Sequence, residues 1–383
     1  GHAAGDRLLM ALADRLRGCL RAGDVAGRLG SDEFAALVVG VEGREPVQAV
    51  AARLGETLAR PVRLGDRTLV VTCCVGVVTS VPGQQAEALL RDAAAALHAA
   101  KAEGKGSQRA FAPGMRRAAE RRLGLVADLH LALDRGELDV HYQPIVDLAT
   151  GRVAGVEALV RWRHPVRGAV PPADFVPLAE ETGLIGPIGR FVLHRACRAA
   201  AGWPGPAGRA PFVSVNVSAR QVDGHDLAGD VAEALAASGL PPGRLVLEVT
   251  ESCLMRRPAH AMEVLERLRG LGPRLGLDDF GTGYSSLSQL ARIPVQIVKI
   301  DGAFTRDLTA ARGPGRLAAA IVGLGRVLGL ETVAEGIEQE AELRELRPLR
   351  QALGEAEARE AALAGVLRII ASSPTDLQAA LQT

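Results

Sequence analysis

Residues 274–290 read RLGLDDFGTGYSSLSQL. A short apolar run ends in two adjacent carboxylates, Asp278 and Asp279, and a glycine-rich turn with a cluster of hydroxyls follows. Each member of a touching like-charged pair resists ionisation while the other is charged. A strand that ends this way has to share a proton or face a cation.

Similar runs surround this one. From about residue 139 onward, LDVHYQPIV, VAGVEALVRW, PFVSVNVS, RLVLEVT, RLGLDDF, VQIVKID and ETVAEGI follow one another, separated by longer helical stretches. That is the rhythm of βα repeats. Seven such strands are found where a closed (β/α)8 barrel has eight. Five of them carry a polar side chain at or near the C-terminal half: Glu157, Asn216, Glu248, the pair Asp278–Asp279, and Glu335. A sixth carries Lys299 and Asp301. In a barrel of parallel strands these positions converge on one face, where such barrels place their chemistry.

A single buried glutamate in a strand is commonly a satisfied core acid. Oxygen-bearing side chains arriving together from six strands are another matter, because desolvation and repulsion would cost several kcal/mol each without a cation. Hard divalent cations such as Mg2+ or Mn2+ take all-oxygen ligand sets, and this set contains neither Cys nor His. Asp278 and Asp279 are placed to bridge or flank two metals about 3.5–4 Å apart, an arrangement suited to phosphoryl chemistry. Lys299 would supply positive charge to an attacking water or a developing phosphorane.

At 383 residues the chain is expected to form two domains. Its 45 Lys+Arg against 44 Asp+Glu leave a formal charge of +1, so no global field draws it to nucleic acid or anionic lipid. Aromatic residues, at 3%, are too few for single-strand binding by base stacking. Cys19, Cys73, Cys74, Cys197 and Cys253 are scattered without CxxC spacing and read as packed thiols in a reducing, cytoplasmic compartment. No apolar run has membrane-spanning length and no signal peptide is visible. The chain begins at Gly1 inside what reads as a loop entering a helix, the pattern expected of a fragment, which leaves an upstream anchor open.

Residues 1–112 have a different rhythm. Gly5 to Cys19 reads as a helix with Leu8, Leu9, Leu12 and Leu16 on one face. RLGSDEFAALVVG reads as strand, turn, strand; Val47 to Leu58 as a helix; TLVVTCCVGVVT as a strong strand; and EALLRDAAAALHAAKAEGKG as a third helix. This is an α+β unit whose first strand is not in evidence. A helix from Met115 to Arg135, within a linker at 113–138, leads to the second domain.

The ordered motifs EALVRW, NVSARQ, LEVTES, LDDFGTGYSSL, VKIDGAF and VAEGIE resemble those of the EAL-family phosphodiesterases, over about residues 139–346. The resemblance implies hydrolysis of cyclic di-GMP to linear pGpG on a (β/α)8 barrel with Mg2+ or Mn2+. It implies that Glu157, Asn216, Glu248 and Asp278 bind one metal, with Asp279 serving the second metal or its water. Lys299 would orient the nucleophilic water, and Glu335 would be a second-site ligand or general base. Glu251 would hold the 279–287 loop, and Arg161 would contact a substrate phosphate.

The first domain, 1–112, is similar to GGDEF diguanylate cyclases in GHAAGDRLL, RAGD, GSDEF and AAKAEGKG. By position Asp6 would contact guanine, Asp32 a metal, Glu33 a metal or a proton, and Lys101 the triphosphate. Arg21 and Asp24 would form the inhibitory RxxD site that binds cyclic di-GMP. Ser31 replaces the motif's second glycine, and the family's first strand, with its metal Asp and guanine-binding Asn, precedes the part matched here. Cyclase activity is therefore not expected of this chain.

After VAEGIE the family's eighth strand, with its Gln-Gly-Tyr motif, is not found. From Leu346 to Ile370 the chain instead shows apolar positions at alternating steps of three and four, either a heptad seam or an amphipathic helix on the barrel wall. The segment 347–383 is similar to the signalling helix that precedes GAF domains. The fold expected is thus α/β: an incomplete α+β GGDEF-type domain, a (β/α)8-type TIM barrel lacking its eighth strand, and a C-terminal helical tail. The alternative to hydrolysis is a catalytically impaired cyclic di-GMP-binding module that signals through this helix. A homodimer through the helix or the barrel is a further expectation.

Overall fold

The computed structural model describes residues 2–281 apart from 42, 66, 105, 206–209 and 225, then residues 292–305 and 314–337. The heptad or tail segment, and the 282–287 part of the loop assigned to Glu251, lie outside the described residues. Two compact units divide at Leu125/Val126. Among the described residues no helix is long and apolar enough to cross a membrane, and all five cysteines are free thiols.

In the first unit, three pairs of short strands accompany helices His2–Cys19, Arg44–Ala59 and Ala86–Glu103. Strands β1 (Val25–Arg28) and β2 (Phe34–Leu37) form an antiparallel hairpin with Asp32 and Glu33 at its turn. Strands β3 (Val62–Leu64) and β4 (Arg67–Leu69) are antiparallel, whereas β5 (Val75–Val77) and β6 (Gln108–Ala110) are parallel. The expected strand TLVVTCCVGVVT is therefore two strands separated by residues 70–74, because its two ends pair with different partners. The alanine-rich helix packs on β5 at Gly76, where a Cβ would lie 2.2 Å from the Leu97 nitrogen. Only a glycine opposite a helix face of small residues permits that approach. Arg116 closes over Asp92, which is 3% exposed, and ties the helix Pro113–Ala132 to Ala86–Glu103.

The second unit is built on β7 (Leu138–Val146), β8 (Val153–His164), β9 (Gly168–Val170), β10 (Phe212–Val217), β11 (Leu245–Thr250), β12 (Arg274–Phe280), β13 (Ile297–Ile300) and β14 (Glu331–Ala334). The sheet runs β14-β13-β12-β11-β10-β8-β7, with β9 attached to β8. From β8 to β14 neighbours along this path are parallel. The expectation of parallel strands throughout fails at β7, which is antiparallel to β8. The connection explains it: Asp147 accepts from the Ala149 and Thr150 amides and closes a tight turn, too short for a crossover. Among the described residues β7 and β14 do not pair, so the sheet is open.

The parallel strands have near-continuous apolar runs because helices cover them. Val213, Val215, Leu245, Leu247, Leu275, Leu277 and Ile297 are each at most 2% exposed. Trp162, 1% exposed, packs edge-on against Phe175 and donates its indole N–H to Glu137 at 2.9 Å. These contacts give the strand ends a rigid base.

Candidate active site

The alternation of a strand sends every second side chain to the same face. Register places Glu157 of β8 beside Ser214, Asn216 of β10 beside Glu248, and Glu248 of β11 beside Gly276. These positions share the inner face. Regular alternation would send Asp278 and Asp279 to opposite faces, but the pairing with β13 slips between Leu277 and Phe280. Two residues of β12 thus oppose the single residue Lys299, which is a β-bulge. Asp279 takes φ 54°, the sole positive φ at a non-glycine residue among the described residues, and its amide donates to the Asp278 carboxylate at 2.9 Å. Asp tolerates this left-handed conformation better than most residues.

Lys299 is the centre of the site. It is 1% exposed. Its Nζ lies 3.1 Å from Glu157, 2.9 Å from Glu248, 3.5 Å from Asp278 and 2.6 Å from Glu335. Asn216 donates to the second oxygen of Glu157 at 2.7 Å. Asp278, Asp279 and Glu335 each offer an oxygen within 4.8 Å of the others, a spacing that could hold a metal ion. Glu157, Asn216, Glu248, Asp278, Asp279, Lys299 and Glu335 therefore meet at one place, while Asp301 caps the helix that follows β13.

Burial works to lower the lysine pKa, but the surrounding Glu248, Asp278, Glu157 and Glu335 outweigh it and raise it. Burial, followed by repulsion from Glu157 and Asp278, pushes Glu248 up to about 7 despite the lysine. Burial and Asp278 raise Asp279, and burial raises Glu335 against the pull of Lys299. One ammonium leaves the carboxylates under-compensated, and an all-oxygen set with residual negative charge fits a hard divalent cation.

The backbone around Glu335 is braced. Thr305, fully buried, donates to the carbonyls of Gly302 and Glu335. A Cβ on Gly336, at φ 67°, would lie 2.9 Å from the Gly302 Cα. Asp301 accepts from the Ala303 amide at 2.7 Å and so opens the short helix Gly302–Thr305.

The other site residues lie apart. Arg161 stands four residues beyond Glu157 on β8, half-buried, and donates to the Val160 carbonyl. Among the described residues it joins none of the cluster's ion pairs. Glu251 is 4% exposed at the start of helix Glu251–Arg256, directly after β11. In the first unit Lys101 pairs with Glu33 at 2.9 Å, both exposed, while Ser31 Oγ donates to Asp32. Asp6 borders a cleft of about 400 Å3 with Arg28 and Phe34. Asp24 accepts from the amides of Arg21 and Val39, which hold its carboxyl below the ordinary range.

Sequence reasoning missed three features. The bulge had a visible signal, since adjacent aspartates cannot share a face of a regular strand. The Thr305 brace and the pairing of buried His164 with Asp128 at 2.9 Å had none.

Carboxylates and a lysine converging from neighbouring parallel strands define a class, and the comparisons supply the family. Residues 126–354 match the EAL domain model and residues 1–107 the model for the diguanylate cyclase, GGDEF domain. The chain belongs to the EAL domain family, as a GGDEF–EAL tandem. It is 41% identical over 346 residues to the bifunctional diguanylate cyclase/cyclic di-GMP phosphodiesterase MucR of Pseudomonas aeruginosa, covering 89% of this chain and 50% of that protein. Against the cyclic di-GMP phosphodiesterase PdeR of Escherichia coli K12 the identity is 37%, covering 89% and 51%. The chain thus spans about half the length of these relatives. Among solved structures, the PaMucR phosphodiesterase in complex with c-di-GMP is 45% identical with TM-score 0.56, covering 59% of this chain and 92% of that one.

Proposed function

We propose that this chain is a divalent-metal-dependent phosphodiesterase that hydrolyses cyclic di-GMP to linear pGpG. The observation that carries the reading is the convergence of Glu157, Glu248, Asp278 and Glu335 on buried Lys299, with Asn216 and Asp279 adjoining. The named activities of MucR and PdeR support it. Glu157, Asn216, Glu248 and Asp278 would hold one cation, and Asp279 with Glu335 a second. Bound there, Mg2+ or Mn2+ supplies Lewis acidity toward a phosphodiester and makes a water more acidic.

The remaining work falls to side chains. Lys299 orients the attacking water by donating a hydrogen bond. Glu335 takes a proton from that water at its carboxylate oxygen. The water oxygen bonds to phosphorus as the P–O ester bond breaks, and the leaving oxygen takes a proton from solvent, to which Glu335 returns the one it removed, to give the linear dinucleotide. Arg161 holds a substrate phosphate, and Glu251 steadies the loop after Phe280.

Chromatography of cyclic di-GMP incubated with the purified chain and Mg2+ or Mn2+ tests the proposal. Formation of pGpG that disappears with EDTA and in Glu157→Ala supports it; no product from a folded chain overturns it. A second reading, binding without turnover, is favoured by Asp24, whose carboxylate is held anionic beside Arg21. Binding that persists without turnover and is lost in Arg21→Ala would select that reading.

A further inference from the structure

The ammonium of Lys299 has three N–H donors, yet four carboxylates lie within 3.5 Å of it. At least one oxygen set is therefore held by charge alone, and Asp278 at 3.5 Å is the most distant. The cation occupies the ground between the same side chains that would ligate a metal. A divalent ion cannot enter that ground without displacing or being repelled by a buried positive charge.

The chain contains 42 arginines and only three lysines, Lys101, Lys105 and Lys299. In a protein that uses arginine for nearly every cation, a lysine at the centre of the acidic cluster is a chemical choice. An arginine fork would lock onto two oxygens in a fixed plane. An ammonium on a flexible four-carbon stem carries the same charge, is compact, and can withdraw. The strand opposite Glu248 contributes Gly276, where a Cβ would stand 3.2 Å from the Glu248 Cγ. Glycine there keeps the space beside Glu248 clear for a change of rotamer.

We propose that Lys299 is the resident counter-cation of the metal-free site, and that it gives way when a divalent cation enters, so this one side chain sets the affinity of the site for metal. The proposal rests on the divalent-metal reading above. It differs from a role in orienting water, because it concerns the protein before substrate arrives. Lysine holds the carboxylates together in the absence of metal and weakens the metal's hold in its presence. The site is thereby tuned to release metal rather than to trap it.

Two measurements on the whole chain test this. Calorimetric titration with Mg2+ and Mn2+ is expected to show about tenfold tighter binding to Lys299→Met than to the unaltered protein. Equal or weaker binding to the variant overturns the exchange. In the unaltered protein labelled with 13C at lysine Cε, three signals are expected, assigned by Lys101→Arg and Lys105→Arg. Mg2+ should move the Lys299 signal; a Lys299 signal unmoved while Mg2+ binds overturns the exchange even if Lys299→Met does not fold. No binding of either metal to the unaltered protein would instead sink the metal reading itself, and the exchange with it.

Discussion

Lys299 Nζ and Glu248 Oε2 lie 2.9 Å apart, with each side chain only 2% exposed. Removing one partner of a buried ion pair costs about 3–5 kcal/mol when the other charge is left uncompensated. The two ends of this pair should not behave alike. Lys299→Ala leaves four carboxylates facing one another and is expected to lower metal-free stability by that amount. Glu248→Gln removes one surplus charge and leaves Lys299 three other partners, so its cost should be below about 1 kcal/mol. Urea denaturation in EDTA checks the asymmetry, and equal losses would contradict it.

Asp279 sits at φ 54° in the bulge opposite Lys299, within metal-binding distance of Asp278 and Glu335. Asp279→Gly should stabilise the metal-free fold by about 0.5–1 kcal/mol, whereas Asp279→Ala should destabilise it by a similar amount. Both should abolish turnover. A stabilised but inactive glycine variant, read by denaturation and product assay together, would separate backbone strain from chemistry.

Gly336 at φ 67° leaves no room for a Cβ against Gly302. Gly336→Ala is expected to cost about 1–3 kcal/mol and to shift Glu335, the partner nearest to Lys299. The diagnostic is metal affinity: it should fall in Gly336→Ala while the secondary structure seen by circular dichroism is retained.

Burial pushes the thiols of Cys197 and Cys253 up to about 11 from an ordinary 9.0. In both cases the folded protein keeps a proton that the unfolded chain has lost, so the stability they contribute is present below pH 9 and declines between pH 9 and 11. The loss approaches about 3 kcal/mol per thiol at the upper limit. Cys197→Ala should make the alkaline decline of the thermal midpoint shallower. At pH 8, a thiol reagent should reach both groups only after unfolding.

Trp162 and Trp203 are the only tryptophans. Trp162 is buried against Phe175, whereas Trp203 stacks edge-on with Tyr142 near the surface. Trp203→Phe should therefore leave a single tryptophan, excited at a wavelength the tyrosines do not absorb, that reports the strand-based core of the second unit. Trp162→Ala should cost about 3–5 kcal/mol, measured by the same unfolding curve followed by circular dichroism.

The strands of the second unit were legible because burial on both faces gives long apolar runs, against which the polar residues Glu157, Asn216, Glu248 and Asp278 stand out. Glu157, Asn216, Glu248 and Glu335 could be aligned by that pattern alone. The antiparallel entry of β7 was not, since direction depends on the turn at Asp147 and not on the strand's own residues. The bulge at Asp278–Asp279 was half-legible: adjacency marked an irregularity, but its geometry required the partner strand. In the first unit TLVVTCCVGVVT has strand composition throughout, and only the identity of its partners divides it.

The order β7-β8-β10-β11-β12-β13-β14 is also the order of synthesis. Each strand can dock on a predecessor that has already left the ribosome, so contacts are made between near neighbours and need no distant segment to wait for. The carboxylates arrive in the same sequence, with Glu335 last. A nascent chain therefore carries its charge-compensating lysine before its final acidic partner. The set of four carboxylates around Lys299 is complete in the chain only once Glu335 has been made.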